Sequence, residues 1–219
     1  MNVLVIGANG QIGQHLVRKL HESPHHDAIA MVRKEDQMKN FEKQGVKAVL
    51  VNLEGSIDDI AIAMKEADAV VFTAGSGGHT GADKTMLIDL DGAIKSVKAA
   101  QQAGVERFVM VSGIGVHRWH DDNHLEWMDS SQHYSAAKYY ADIWLERSGM
   151  NYTIIRPGKL TNDAETGKIQ TGEDLEHKQI SRGDVASTII ASLENQQTIG
   201  KAFDLISGET LIVKALESL

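Results

Sequence analysis

Residues 3–20 read VLVIGANGQIGQHLVRKL, an apolar run rich in β-branched side chains that passes into an amphipathic one through Gly7, Gly10 and Gly13. A glycine inside a helix costs about 1 kcal/mol relative to alanine, so three at one junction imply a use for bare backbone. A strand ending at Ile6, a tight turn and a helix opening near Gln11 would bring unpaired main-chain N–H groups and the positive end of a helix dipole to one point. Such a point suits a pyrophosphate. In that arrangement Gly7 permits the turn, Gly10 lets backbone approach the phosphates and Gly13 lets helix and strand pack closely. Gly7, Asn9, Gly10, Gln11, Ile12 and Gly13 then form a candidate anion cradle. The plain alternative is a strand-to-helix turn with incidental glycines.

Working outward, short apolar runs alternate with segments of helical period. Strands are expected at 3–6, 28–32, 47–51, 69–72, 107–112, 151–156 and 201–206, and helices at 11–22, 34–44, 56–66, 84–103, 131–148 and 181–195. Seven strands separated by helices imply βαβ units, hence a doubly wound, mostly parallel α/β sheet covered on both faces. Length and 42% hydrophobic content suit one domain over residues 1–219. Two links break the rhythm, 113–130 and 157–180. Both leave the carboxyl ends of strands, where open parallel sheets bind ligands, and both are expected to be irregular substrate walls.

Composition removes several classes of function. Lys and Arg total 22 against 30 Asp and Glu, a net charge of −8, which argues against a nucleic-acid or anionic-membrane surface. Cysteine is absent, which excludes disulfides, thiolate zinc sites and a thiol nucleophile. No apolar stretch reaches the ~18 residues of a membrane span, and Met1 and Asn2 lead straight into the first strand without a signal-peptide pattern. A cytoplasmic protein is expected.

The spacing is G-x-x-G-x-x-G, and GANGQIG, MVR, TAG, RFVMVSG, YSAAK, SGMNYTIIRPGKLT and ISRGDVA follow it in order along almost the whole chain. In this the protein resembles the short-chain dehydrogenases/reductases, as a small atypical member of the NAD(P)H-binding, NAD-dependent epimerase/dehydratase-like or NmrA-like type. The resemblance implies a Rossmann-type fold. After the second strand the chain has Arg33 and Lys34 where an acid would bind the ribose hydroxyls of NAD. A guanidinium suits a 2′-phosphate, so NADP is the expected cofactor, with NAD the alternative. Glu35 and Asp36 follow at once, and on the bland reading the two cations are merely solvated. The resemblance further implies that Asn52 and Leu53 lie by the adenine, Ala74 and Gly75 under the ribose, and Pro157 and Gly158, after Arg156, past the nicotinamide. A strand terminus explains the last two equally well.

Tyr134 and Lys138 are four residues apart on an expected helix and share a face. A free tyrosine, with a pKa of about 10, is a poor base; a nearby ammonium and the cofactor's positive ring would favour the phenolate and lower that pKa. Ser112, ending the fifth strand, could hold a substrate oxygen. The resemblance gives these roles: tyrosine as proton donor or acceptor, lysine as tuner and ribose ligand, serine as orienter. Gly113 stands where a second serine is frequent. The alternative is that Tyr134 only packs and Lys138 only grips the ribose.

HRWHDDNHLEW (117–127) gathers His117, His120 and His124 with Asp121 and Asp122, but without a defined ligand spacing, so no metal is expected. With Trp119 and Trp127 these imidazoles could instead line a substrate entrance. Three functions fit: an oxidoreductase on a small carbonyl, quinone or flavin-like molecule; a non-catalytic NADP sensor; and a nucleotide-sugar epimerase or dehydratase, disfavoured by the ~60 residues left after Pro157.

Overall fold

The computed structural model describes residues 1–78 and 80–219. The first half runs β1 (Asn2–Ile6), α1 (Gln11–Glu22), β2 (Asp27–Val32), α2 (Glu35–Lys43), β3 (Lys47–Leu50), α3 (Ile57–Ala63) and β4 (Ala69–Phe72). A three-residue turn α4 (Ala82–Lys84), a π-helical segment (Thr85–Leu90) and α5 (Asp91–Ala103) then lead to β5 (Arg107–Val111). The second half comprises α6 (Gln132–Glu146), β6 (Asn151–Pro157), β7 (Lys159–Thr161), β8 (Lys168–Gly172), β9 (Gln179–Ser181), α7 (Arg182–Glu194), β10 (Lys201–Ser207), β11 (Thr210–Leu211) and α8 (Ile212–Glu217).

One nine-stranded sheet has the order β11-β8-β10-β6-β5-β4-β1-β2-β3, and β7 and β9 pair separately. The seven strands expected from sequence are all present and mutually parallel; β8 and β11 join antiparallel beyond β10. This is a Rossmann-type doubly wound fold. Alternation along β1 explains its two covered faces. Val3 and Val5 pack with Leu16, Val17, Val185 and Ile189 of α1 and α7, whereas Leu4 and Ile6 pack with Ile60, Val97 and Leu145 of α3, α5 and α6 and with Met64, which caps α3. Each buried Leu or Ile contributes about 1.5–3 kcal/mol.

Two expectations need correction. The link 157–180 is not irregular but carries β7, β8 and β9. Their sequences, KLT, KIQTG and QIS, hold one apolar residue each, and burial of Ile169 and Ile180 against elements distant in sequence gives them their place. The expected helix 84–103 is interrupted by the π-helical segment, which inserts an extra residue per turn and rotates the face that follows. Thr85, Ile88 and Asp89 are turned inward, while Met86 and Leu87 face solvent.

Candidate active site

At the β1–α1 junction the glycines have separate reasons. Gly7 has φ +84°, and a Cβ there would lie 2.6 Å from the Ala74 nitrogen and 2.7 Å from its Cα, at the end of β4. At Gly13 a Cβ would run into the carbonyl of Gly7 and the backbone of Ala8. Both positions therefore require glycine for close approach. Gly10 donates to the Gly7 carbonyl at 2.9 Å and precedes α1 without any side-chain cap. The first-turn amides of α1 thus lack a side-chain acceptor, as an anion site needs. Ile12 is buried in the core beneath, so it supports the cradle through its backbone.

A groove of about 460 Å³ continues from this cradle across the carboxyl ends of β1 to β4. Gly7, Asn9, Gly10, Gln11, Arg33, Asn52, Leu53, Ala74 and Gly75, all offered by the sequence as cofactor contacts, line it. Arg33 is exposed at its rim and, among the described residues, makes no ion pair. Glu35 and Asp36 instead enter the first turn of α2, where acids complement the helix dipole. Lys34 is the N-cap of α2 and does not line the groove; Gln37, one turn further along, does. That substitution of roles was unreadable in the sequence, because it depends on where α2 turns back over β2.

Pro157 and Gly158 also lie outside the groove lining. The Pro157 carbonyl accepts from Ile114 N–H at 3.0 Å, and a Cβ on Gly158 would strike the Lys178 carbonyl of the loop crossing above it. Gly158 is thus explained by that crossing. Arg156 is equally structural: its Nε donates to Asp142 Oδ2 at 2.8 Å, a buried pair that ties β6 to α6.

Beyond the far end of the groove, α6 and β5 bring Ser112, Tyr134 and Lys138 together. The Lys138 Nζ donates to the Val111 carbonyl at 3.2 Å and lies 5.8 Å from the centre of the Tyr134 ring. The tyrosine ring and hydroxyl pack over Gly113, where a Cβ would find them in ordinary contact at 3.6 Å. Ser112 is buried, and its Oγ has no hydrogen-bond partner among the described residues. An unsatisfied buried hydroxyl at this point is free to hold a ligand oxygen.

Sequence reasoning missed Asp89, which the π-helical segment turns into the same place. It is 1% exposed; its Oδ2 accepts the Ser76 N–H at 2.9 Å and its Oδ1 lies 3.6 Å from Lys138 Nζ. One carboxylate therefore ties the groove floor to the lysine. Several effects compete at Tyr134 in the free protein. Burial raises its pKa above the ordinary tyrosine value; Lys138 opposes this, but Asp89 and Asp142 add to it. For Lys138, burial favours the neutral amine, and Tyr134, Asp89 and Asp142 together outweigh it, so its pKa is raised. Phenol and ammonium both keep their protons at neutral pH.

The two long links form walls beside this trio. Trp127 packs against Tyr134 with ring centres 6.2 Å apart and against His177 at 5.5 Å. Trp119 faces away, toward His120 and His124. Buried Asp204, on β10, accepts from Gly115 N–H at 3.1 Å and from Leu175 N–H at 3.3 Å, so it holds both walls at once. His117 and Arg118 meet Asp174 across the same seam, at 3.1 and 3.2 Å. His124 bonds Asp129 at 3.0 Å, which raises its pKa, and among the described residues no three His, Asp or Glu side chains gather as a metal site would require.

The family described as NAD(P)H-binding matches residues 7–196, from the glycine cradle to the end of α7. This chain belongs to that family. A Bacillus subtilis member, named as an uncharacterized sugar epimerase, YhfK, is 52% identical over 219 residues and covers all of both chains. The solved Lactococcus lactis oxidoreductase ylbE is 31% identical, with a TM-score of 0.90 over 100% of this chain and 96% of that one. A Veillonella parvula short-chain dehydrogenase/reductase solved with NADP has a TM-score of 0.73 at 20% identity, over 95% of each chain, and shares the fold. The NAD(P)H-binding protein described here thus has an oxidoreductase-like architecture, and among its described residues no helix is long and apolar enough to cross a membrane.

Proposed function

We propose that this NAD(P)H-binding protein is an NADP(H)-dependent oxidoreductase that reduces a small carbonyl, quinone or flavin-like acceptor. One observation carries the reading: a buried Tyr134–Lys138 pair with a vacant Ser112 hydroxyl lies directly beyond a groove shaped for a dinucleotide. The residues fit the cofactor, since the glycine cradle excludes side chains and Arg33 offers an uncommitted cation for a 2′-phosphate. NADPH, when bound, supplies the hydride. Ser112 would donate to the acceptor's oxygen and fix its orientation. Tyr134 would give its phenolic proton to that oxygen as negative charge develops, and solvent would replace the proton afterwards. Lys138 would bind the ribose and steady the transient phenolate.

NADPH oxidation with a panel of quinones and aldehydes tests this. The wild type should turn over at least one class, and Tyr134→Phe should lower kcat/KM about 10²- to 10⁴-fold with NADPH affinity kept. Binding without turnover by the wild type would favour the second reading, a dinucleotide sensor. That reading draws on Trp127 covering Tyr134 and on the absence of solvent contact at the Ser112 hydroxyl. An epimerase role is suggested by the name of the Bacillus subtilis relative, but residues 158–219 complete the sheet with β8, β10 and β11 and cover it with α7 and α8, and form no separate sugar-binding lobe.

A further inference from the structure

The two ends of the nine-stranded sheet are finished differently. At one end β11 offers only Thr210–Leu211, and an edge that short is a poor template for another strand. At the other end β3 pairs only with β2, and its sequence from Ala48 to Val51 carries no charge or proline to guard the free edge. The Val51 N–H donates to the Val32 carbonyl at 2.9 Å, so by strand alternation the N–H and C=O groups of Ala48 and Leu50 point outward, with no strand to meet them. Apolar surface flanks this edge on both faces. Val49 and Val51 lie toward α3 and Ala48 toward the opposite layer, which puts Leu50, 45% exposed, on that opposite side. Beside the two valines a groove of about 610 Å³ opens between β3 and α3, with Ile62, 59% exposed, on its α3 side.

The groove is electrically polar along its length. Lys47, Lys65 and Glu66 stand where β3 starts, and Gly55 and Asp59 where it finishes. Lys47 and Glu66 cancel each other at 2.6 Å, whereas Lys65 and Asp59 make no ion pair among the described residues. One end of the groove is thus left positive and the other negative. An unrelated strand has no reason to match that polarity, but a second copy of the same edge, turned end for end, matches it at both ends at once. We infer that two copies of this chain pair antiparallel through β3, about a two-fold axis at Val49, with Lys65 of each copy facing Asp59 of the other. Ala48 then exchanges main-chain hydrogen bonds with Leu50 of the second copy, Val49 meets its own counterpart on the axis, and Ile62 is covered. The inference is independent of the oxidoreductase reading, and its test involves no turnover.

Sedimentation of the wild type from ~1 to ~200 µM should show monomer passing into dimer, with a dissociation constant on the order of 10 µM for so small an interface. Ile62→Asp changes an exposed side chain and should weaken the dimer about tenfold or more, with the circular dichroism unchanged. Lys65→Glu should weaken it too, and adding Asp59→Lys, which keeps the residue-59 N–H on Ser56 Oγ, should restore it. The chain has no cysteine, so a single introduced thiol can pair only between copies. Val49→Cys should form a disulfide-linked dimer on oxidation, since Cα atoms opposed in a non-hydrogen-bonded antiparallel pair lie about 4.5 Å apart, within disulfide reach. A wild type still monomeric at ~200 µM overturns the inference, as does a dimer that Ile62→Asp leaves intact. A charge swap that fails to restore pairing, or a Val49→Cys dimer that does not cross-link, overturns the antiparallel arrangement. Should the charge variants not fold, Ile62→Asp and Val49→Cys decide.

Discussion

The groove across the ends of β1 to β4 and the two walls beside Tyr134 lie on the same edge of the sheet but are built differently. The groove follows β1 to β4 and is made by backbone: glycines at van der Waals limits, an uncapped helix start and short turns. The walls follow β5 and β6 and are held by carboxylates reaching from elsewhere in the chain. Asp204 bonds both walls, Asp184 accepts from Thr166 and Gly167 N–H at 3.1 and 2.7 Å, and Glu165 meets Lys19 of α1 at 2.7 Å. A backbone-built site tolerates almost no change at its few critical residues. A wall hung on polar side chains can change shape while the core stays intact, which suits a family whose members share a cofactor class.

The largest expected effect breaks the groove. Gly7→Ala places a Cβ against the Ala74 backbone at a positive φ, and should destabilise the fold by about 2–4 kcal/mol in urea melts, with NADPH binding lost. Next, Asp204→Ala should break the walls and spare the groove. One buried and one partly buried amide lose their acceptor, for about 2–3 kcal/mol of stability, and KM for the acceptor should rise while NADPH affinity in calorimetry stays within a few-fold.

A pH series sharpens the same contrast. Burial raises the Asp204 pKa in the folded protein, despite the Gly115 N–H, His117, Arg156 and the Leu175 N–H. Its contribution to stability is complete below the unfolded carboxylate value and is lost as pH rises through the folded one. Asp204→Asn, which has no such titration, should therefore gain on the wild type as pH rises, read from urea midpoints; the opposite trend would mean that the two amides dominate. The smallest effect on the fold comes from Arg33→Ala at the groove rim. Stability should be unchanged and NADPH affinity should fall about tenfold or more, with NADH affinity untouched. Equal affinities for the two cofactors in the wild type would remove the assignment of Arg33.

Legibility from sequence divides along the same line. The cradle was readable because its parts are local: a β-branched run, three glycines at i, i+3 and i+6, and an amphipathic helix lie within 18 residues. Tyr134 and Lys138 were readable because one helix turn separates them. Asp89 was not, since a regular helix over 84–103 gives no sign of the π-helical segment that turns its side chain inward. Lys34 and Pro157 do not line the groove for a related reason: neighbours in sequence leave a strand end in different directions, and only the chain that crosses them decides which one faces it.

By itself the amino-acid sequence determined the alternation of strands and helices, the anion cradle and the spacing of tyrosine and lysine, because each depends on contacts within a few residues. Tertiary structure alone decided the burial of Tyr134, the partner of Lys138 and the shape of the walls beside them. Those depend on charges and hydrogen bonds between groups as many as 146 residues apart, such as Lys19 and Glu165, or 89 for the buried pair of Gly115 and Asp204, and the strength of the buried ones is set by a burial that exists only once the sheet has closed over them.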